Sequence, residues 1–173
     1  MSVNLGYYAS WTMFRDADCN PVAPDDIDVY SNGYTHLVYA FASIDAKFEL
    51  EPWDGNPYAE VPQYLKFNAL KEVYPGLKTM IAVGGWTFND PGETRTRFSD
   101  AASTDINRVT FAASCVKFCR AYGFDGVDLD WEYPGDDGRG GTSADKTNFD
   151  TFVVAAATIE KSRHLLGQLG FVQ

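Results

Sequence analysis

Apolar runs of strand length alternate along the chain with stretches of helical periodicity. Leu5 to Ala9 reads as a short strand. Thr35 to Ile44 (THLVYAFASI) reads as a longer one, apolar at enough consecutive positions to be buried on both faces. Gln63 to Val73 carries Leu65, Ala69, Leu70 and Val73 at helical spacing, and Pro75-Gly76 ends it. Lys78 to Val83 (KTMIAV) is a third strand that runs into Gly84-Gly85. Asp105 is placed to cap a helix reaching Tyr122, with Val109, Ala112, Ala113, Val116 and Cys119 on its inner face and Gly123 as its stop. Phe124 to Leu129 is a fourth strand, and Pro134 to Ser143 is a loop rich in Gly and Asp. A last helix runs from about Ala144 to Leu166, with Phe149, Phe152, Val153, Ala156 and Ile159 as its buried stripe. No repeat, low-complexity tract or linker interrupts the series. Strands alternating with helices imply a parallel sheet with crossover connections. Doubly wound sheets and (β/α)8 barrels both begin this way, and both place chemistry at the C-terminal ends of their strands.

Composition narrows the function. The 173 residues suit one domain, and 45% hydrophobic against 22% charged residues excludes intrinsic disorder. No run approaches the roughly 18 consecutive apolar residues of a membrane helix. The 14 Lys and Arg against 24 Asp and Glu leave a net charge of −10, which repels phosphate backbones and acidic membrane surfaces. Nucleic acid and membrane are therefore not expected partners, whereas neutral ligands such as sugars meet no opposing field. Aromatic residues reach 15%, a surplus that serves either a core or the flat platforms on which sugars stack. Cys19, Cys115 and Cys119 are odd in number, and Cys115 and Cys119 lie four apart on a helix, a poor geometry for a disulfide. They read as free thiols. His36 and His164 read as ordinary core and surface histidines, too far from the cysteines to build a metal site with them. The first six residues lack a basic stretch followed by an apolar one, so no signal peptide is read. The expectation is an intracellular protein, or a processed form.

The sharpest feature is Asp125-Gly126-Val127-Asp128-Leu129-Asp130-Trp131-Glu132-Tyr133-Pro134. Side chains alternate along a strand, so Asp128, Asp130 and Glu132 point to one face while Val127, Leu129 and Trp131 point to the other. Three carboxyl groups on one face cannot all ionise cheaply; a pKa rises or a proton is shared. Three roles fit such a row: a Mg or Ca site, although no compact oxygen-ligand loop accompanies it; a buried structural network; or the proton donor of a glycosidase with its partner carboxylate.

These residues resemble a known family. Asp125 to Gly135 (DGVDLDWEYPG) is similar to the D-x-x-D-x-D-x-E signature of family 18 glycoside hydrolases, the chitinases and their relatives. Leu77 to Phe88 (LKTMIAVGGWTF) resembles that family's third strand, Gly6-Tyr7-Tyr8 followed by Trp11 its first, and Thr35 to Ala42 its second. The resemblance implies a (β/α)8 TIM barrel of which this chain covers about the first four β/α units, as the N-terminal half of a catalytic domain. It implies chitin or chitooligosaccharide as substrate and partner, and retaining hydrolysis of β-1,4-linked N-acetylglucosamine. In that chemistry the substrate's own acetamido group attacks the anomeric carbon, so no cofactor and no metal is implied. By position, Glu132 would protonate the glycosidic oxygen. Asp130 would orient the acetamido group, Asp128 would share a proton with Asp130, and Asp125 would be structural. Tyr7, Phe41, Gly84, Gly85, Trp86 and Tyr133 would contact the sugar, and Glu51 and Trp53 an outer subsite. For each of these contacts, packing in the core or a turn is the competing role.

Length departs from the family pattern, since a (β/α)8 barrel typically takes about 250 residues. The Tyr and Asp that relatives contribute from the sixth strand, and the Trp from the eighth, have no counterpart among these 173 residues. Position 6 is Gly, where many animal relatives carry a disulfide cysteine. A half barrel leaves two sheet edges and an apolar interior open, which leads to an expectation of self-association or of a need for the missing half. A glycan-binding lectin and an inactive truncated product are therefore the alternatives to a chitinase. An extracellular location would be expected from the family.

Overall fold

The structure is a computed structural model and describes residues 3–53 and 57–155. Its strands are β1 (Leu5–Ala9), β2 (His36–Ile44), β3 (Leu50–Pro52), β4 (Lys78–Gly84) and β5 (Gly126–Asp130). Its α-helices are α1 (Val29–Asn32), α2 (Pro57–Val73), α3 (Arg97–Ser103) and α4 (Asp105–Tyr122), followed by helical residues 145–155. The sheet order is β1-β2-β4-β5, with every neighbouring pair parallel, and β3 attaches antiparallel to the end of β2. This is a partial parallel sheet flanked by helices, consistent with part of a (β/α)8 barrel. Among the described residues β1 and β5 form its two edges.

The two faces of the sheet differ in kind. The helix-facing side carries Tyr8, Leu37, Tyr39, Ile81, Val83 and Trp131, packed against Tyr64, Phe67, Phe111, Phe118 and Phe152 from the helices. Fully burying each such ring is worth about 2–3 kcal/mol, and edge-to-face pairs such as Tyr39–Phe67, with centroids 5.4 Å apart, add to that. Phe98 of α3 stacks on Trp131, centroids 5.3 Å apart. The opposite, concave side has a much smaller apolar floor of Val38, Ala40 and Ala82, with Phe41 and Met80 beside it.

Several sequence expectations shift. The helix read from Gln63 begins at Pro57, and Leu65 and Val73 lie exposed. Its buried face is Tyr64, Phe67 and Leu70, because the rings hold more apolar area than the aliphatics. The cap of α4 is Thr104, whose side chain accepts from the Asn107 N–H, and Asp105 is the first helical residue. Val109 is exposed and the inner face rotates onto Phe111, Ala112, Cys115 and Phe118, for the same reason. The fourth strand runs from Gly126 to Asp130 rather than from Phe124. In the last helix Phe152 is buried, Phe149 packs on the core and Val153 is exposed; Ala156, Ile159 and His164 lie outside the described residues. The strand β3 and the helix α3 have no counterpart in the sequence reading. Cys19, exposed, and Cys115, buried, are free thiols. At Gly6 a Cβ would sit 2.6 Å from the Tyr34 ring.

Candidate functional site

The acidic residues converge at the C-terminal end of β5. Strand alternation sends Val127, Leu129 and Trp131 into the helix-facing core and leaves Asp128, Asp130 and Glu132 half-buried on the other side. Asp128 accepts a 2.8 Å hydrogen bond from the Tyr7 hydroxyl, which reaches from β1 across the concave face. Burial and the nearby Asp128 and Asp130 push the Tyr7 phenol above its ordinary pKa. Asp130 is pushed up to about 6, chiefly by burial, then by the charges of Glu132 and Asp128 and a hydrogen bond with Glu132. A proton is thus held on Asp130, beside Glu132, at mildly acidic pH.

Asp125 stands at the other end of β5. Burial opposes its charge, yet the Thr79 N–H at 2.9 Å and the Lys71 and Lys78 ammonium groups, each at 3.1 Å, hold its carboxyl below the usual range. It joins α2, β4 and β5 where the strands begin, away from the acidic end.

Phe41 reaches the concave face through a bulge. Ala40 pairs with Ala82 and Ala42 with Val83, so Phe41 is an extra residue in β2. Without it, alternation from Val38 and Ala40 would send Phe41 to the helices. Its ring stacks on Trp11 at 6.0 Å and lies 6.1 Å from Trp53. Gly85, at φ +87°, passes over this ring: a Cβ there would lie 2.8 Å from Phe41 Cζ. Gly84, at φ +103°, presses on β5, where a Cβ would come 2.5 Å from the Asp130 carbonyl oxygen and 2.6 Å from Phe98. The Gly85 N–H donates to that same carbonyl at 2.9 Å. Both glycines therefore set how close the ends of β2, β4 and β5 come together.

Trp86 and Tyr133 are more than half exposed beside these ends. Glu51 and Trp53 sit in and just after β3, at the same end of β2; burial and Asp45 raise the Glu51 carboxyl. The structure thus gathers Tyr7, Phe41, Gly84, Gly85, Asp128, Asp130 and Glu132 around one end of the sheet, and places Asp125 at the other.

Three residues of this region carry roles that sequence reasoning does not assign, although Trp11 belongs to the first-strand motif. Trp11 stacks on Phe41. Asp145, fully buried, accepts from Ser99 Oγ at 2.6 Å and from the Thr142 and Gly135 N–H groups at 2.7 and 3.1 Å, fixing the loop after β5. Arg139 joins the loop after β4 to the loop after β5, donating to Asp90 Oδ1 at 2.6 Å and to the Glu132 carbonyl at 3.1 Å. Its signal in the sequence is that it is the one basic residue between Arg120 and Lys146.

Comparison with known proteins places the chain in a family. The model of glycosyl hydrolases family 18 matches residues 3–166. The chain belongs to that family. It is 39% identical to chitotriosidase-1 of Mus musculus over 147 residues, which is 85% of this chain and 29% of that protein. The Group IV chitinase of Ostrinia furnacalis superposes with a TM-score of 0.79 at 31% identity, over 93% of this chain and 42% of the chitinase. Human YKL-39, described as a pseudo-chitinase with retained chitooligosaccharide binding, superposes with a TM-score of 0.74 at 26% identity, over 95% of this chain and 40% of that one. This family 18 chain spans less than a third of the length of the curated relatives it matches.

Proposed function

We propose that this family 18 chain binds N-acetylglucosamine oligosaccharides across the acidic end of its four parallel strands and does not by itself complete a hydrolytic site. The observation that carries this is the share of the solved chitinases it covers, 42% of the Group IV enzyme, together with the aromatic residues and carboxylates gathered at one end of the sheet among the described residues. Trp11, Phe41, Trp53 and Trp86 supply faces for sugar rings. The carboxyl groups of Asp128, Asp130 and Glu132 and the Tyr7 hydroxyl supply hydrogen bonds. Chitin is the ligand class that fits the family.

A second reading is hydrolysis by the complete barrel. It is favoured by the intact acidic row and by the raised pKa of Asp130 beside Glu132. In that reaction Glu132 gives its proton to the leaving oxygen, and the substrate acetamide closes on the anomeric carbon to form a cationic ring. Ionised Asp130 stabilises that cation, and water, losing its proton to the Glu132 carboxylate, then opens it with retention. Calorimetry of penta-N-acetylchitopentaose binding, run beside turnover of a fluorogenic chitooligosaccharide, separates the two. Binding without turnover supports the first reading. Turnover that disappears in Glu132→Gln replaces it with the second, and neither binding nor turnover refutes it.

A further inference from the structure

We propose that Arg139 is a positioning residue that locks the Trp86 ring and the Glu132 backbone into one rigid unit, so that a sugar platform and the acid keep a fixed relation. The side chain is only 14% exposed although its loop is open to solvent. Its guanidinium carbon lies 4.0 Å from the centre of the Trp86 ring. Nη2 donates to the Trp86 carbonyl, Nη1 to Asp90 Oδ1 and Nε to the Glu132 carbonyl. A planar guanidinium that fills three acceptors at once has one orientation, and a lysine cannot reproduce it. A cation on one face holds the ring in place, while Trp86 as a whole stays 57% exposed. The far side of the unit is also buttressed: Arg95 Nη2 donates to the Gly138 carbonyl at 2.6 Å, and a Cβ on Gly140 would strike the Arg95 carbonyl. Platform and acid belong to different loops, after β4 and after β5, and Arg139 binds both.

The sugar-binding consequence rests on the glycan reading above; the clamp itself does not. Two measurements on the 173-residue chain keep them apart. In 5-fluorotryptophan-labelled protein, the fluorine resonance of Trp86, identified by its loss in Trp86→Phe, should be one sharp line. It should move and broaden in Arg139→Ala and return only partly in Arg139→Lys. Affinity for penta-N-acetylchitopentaose should fall about tenfold in Arg139→Ala. The Arg139→Ala/Trp86→Ala pair should bind no more weakly than Trp86→Ala alone, because Arg139 acts through that ring. Should Arg139→Ala fail to fold, Asp90→Asn loosens the same guanidinium from a half-exposed partner and should displace the line in the same direction. Additive losses in the double variant, or an unmoved Trp86 line, overturn the proposal. A parent chain that binds no pentasaccharide while its Trp86 line still moves in Arg139→Ala upholds the clamp and removes the glycan reading.

Discussion

Tyr7 and Asp128 hydrogen-bond at 2.8 Å although they stand on opposite edges of the four-stranded parallel sheet. Three inter-strand gaps of about 4.8 Å would hold them roughly 14 Å apart on a flat surface. Their meeting requires that the sheet curl, and the small side chains of Val38, Ala40 and Ala82 beneath them leave room for it. Tyr7→Phe keeps the ring and removes only this cross-link. A chain weakened by about 1 kcal/mol in urea unfolding is the expected result. No change would mean that the curl is held by the backbone alone.

Asp130 has its pKa raised to about 6. The folded chain therefore binds a proton more tightly there than the unfolded chain, and stability contributed by that proton is present at low pH and lost as pH rises through about 6. Asp130→Asn should raise the melting temperature at pH 7.5 and leave it nearly unchanged at pH 4. Thermal scans at the two values test the sign.

Asp145 carries the opposite signature. Burial works against its charge, but the Ser99 hydroxyl and the Thr142 and Gly135 N–H groups lower its pKa below the usual carboxylate range. Its contribution is complete at neutral pH and fades as pH falls through that depressed value. Asp145→Asn, which leaves a donor facing donors, should cost about 2–3 kcal/mol at pH 7. The gap from the parent should close in strong acid, as read from denaturant midpoints.

Gly84 and Gly85 separate two kinds of crowding. A methyl group on Gly84 meets the Asp130 carbonyl, which cannot retreat without shifting β5; on Gly85 it meets the Phe41 ring. Both residues have positive φ, so each substitution also strains the backbone. Gly84→Ala should be the more damaging, by at least about 2 kcal/mol relative to the parent. Gly85→Ala should chiefly displace Phe41, visible as altered near-ultraviolet circular dichroism of the Trp11–Phe41–Trp53 group.

The strands were legible in the sequence because a parallel strand buried on both faces leaves an unbroken apolar run, as Thr35 to Ile44 does. The acidic row was legible because strand alternation needs no tertiary knowledge. Helix faces were harder. In α2 and α4 aliphatic positions compete with Tyr64, Phe67, Phe111 and Phe118, and the rings take the core. The three-residue β3 contains a proline and exists only because β2 offers it an edge. The separate helix α3 ends at Ser103, one residue before the cap of α4, so no loop signal divides them. Phe41 is assigned to the acidic face only by resemblance, since its bulge depends on the register with β4. The partners of Arg139 lie 7 to 53 residues away in the chain, a distance that no local pattern spans.

The unequal faces of the sheet bear on inheritance. The thick aromatic layer of Tyr39, Phe67, Phe98, Phe111, Trp131 and Phe152 lies on the helix side, and the carboxyl groups of Asp128, Asp130 and Glu132 lie on the other. A mutation that erases Glu132 removes nothing from that layer, and one that disturbs the layer need not touch an acid. Descendants of such a domain can therefore abandon their chemistry and keep their shape, or change their ligand while drifting little in stability. A lineage built this way can yield catalysts and silent binders from the same scaffold, with single substitutions on one face deciding between them.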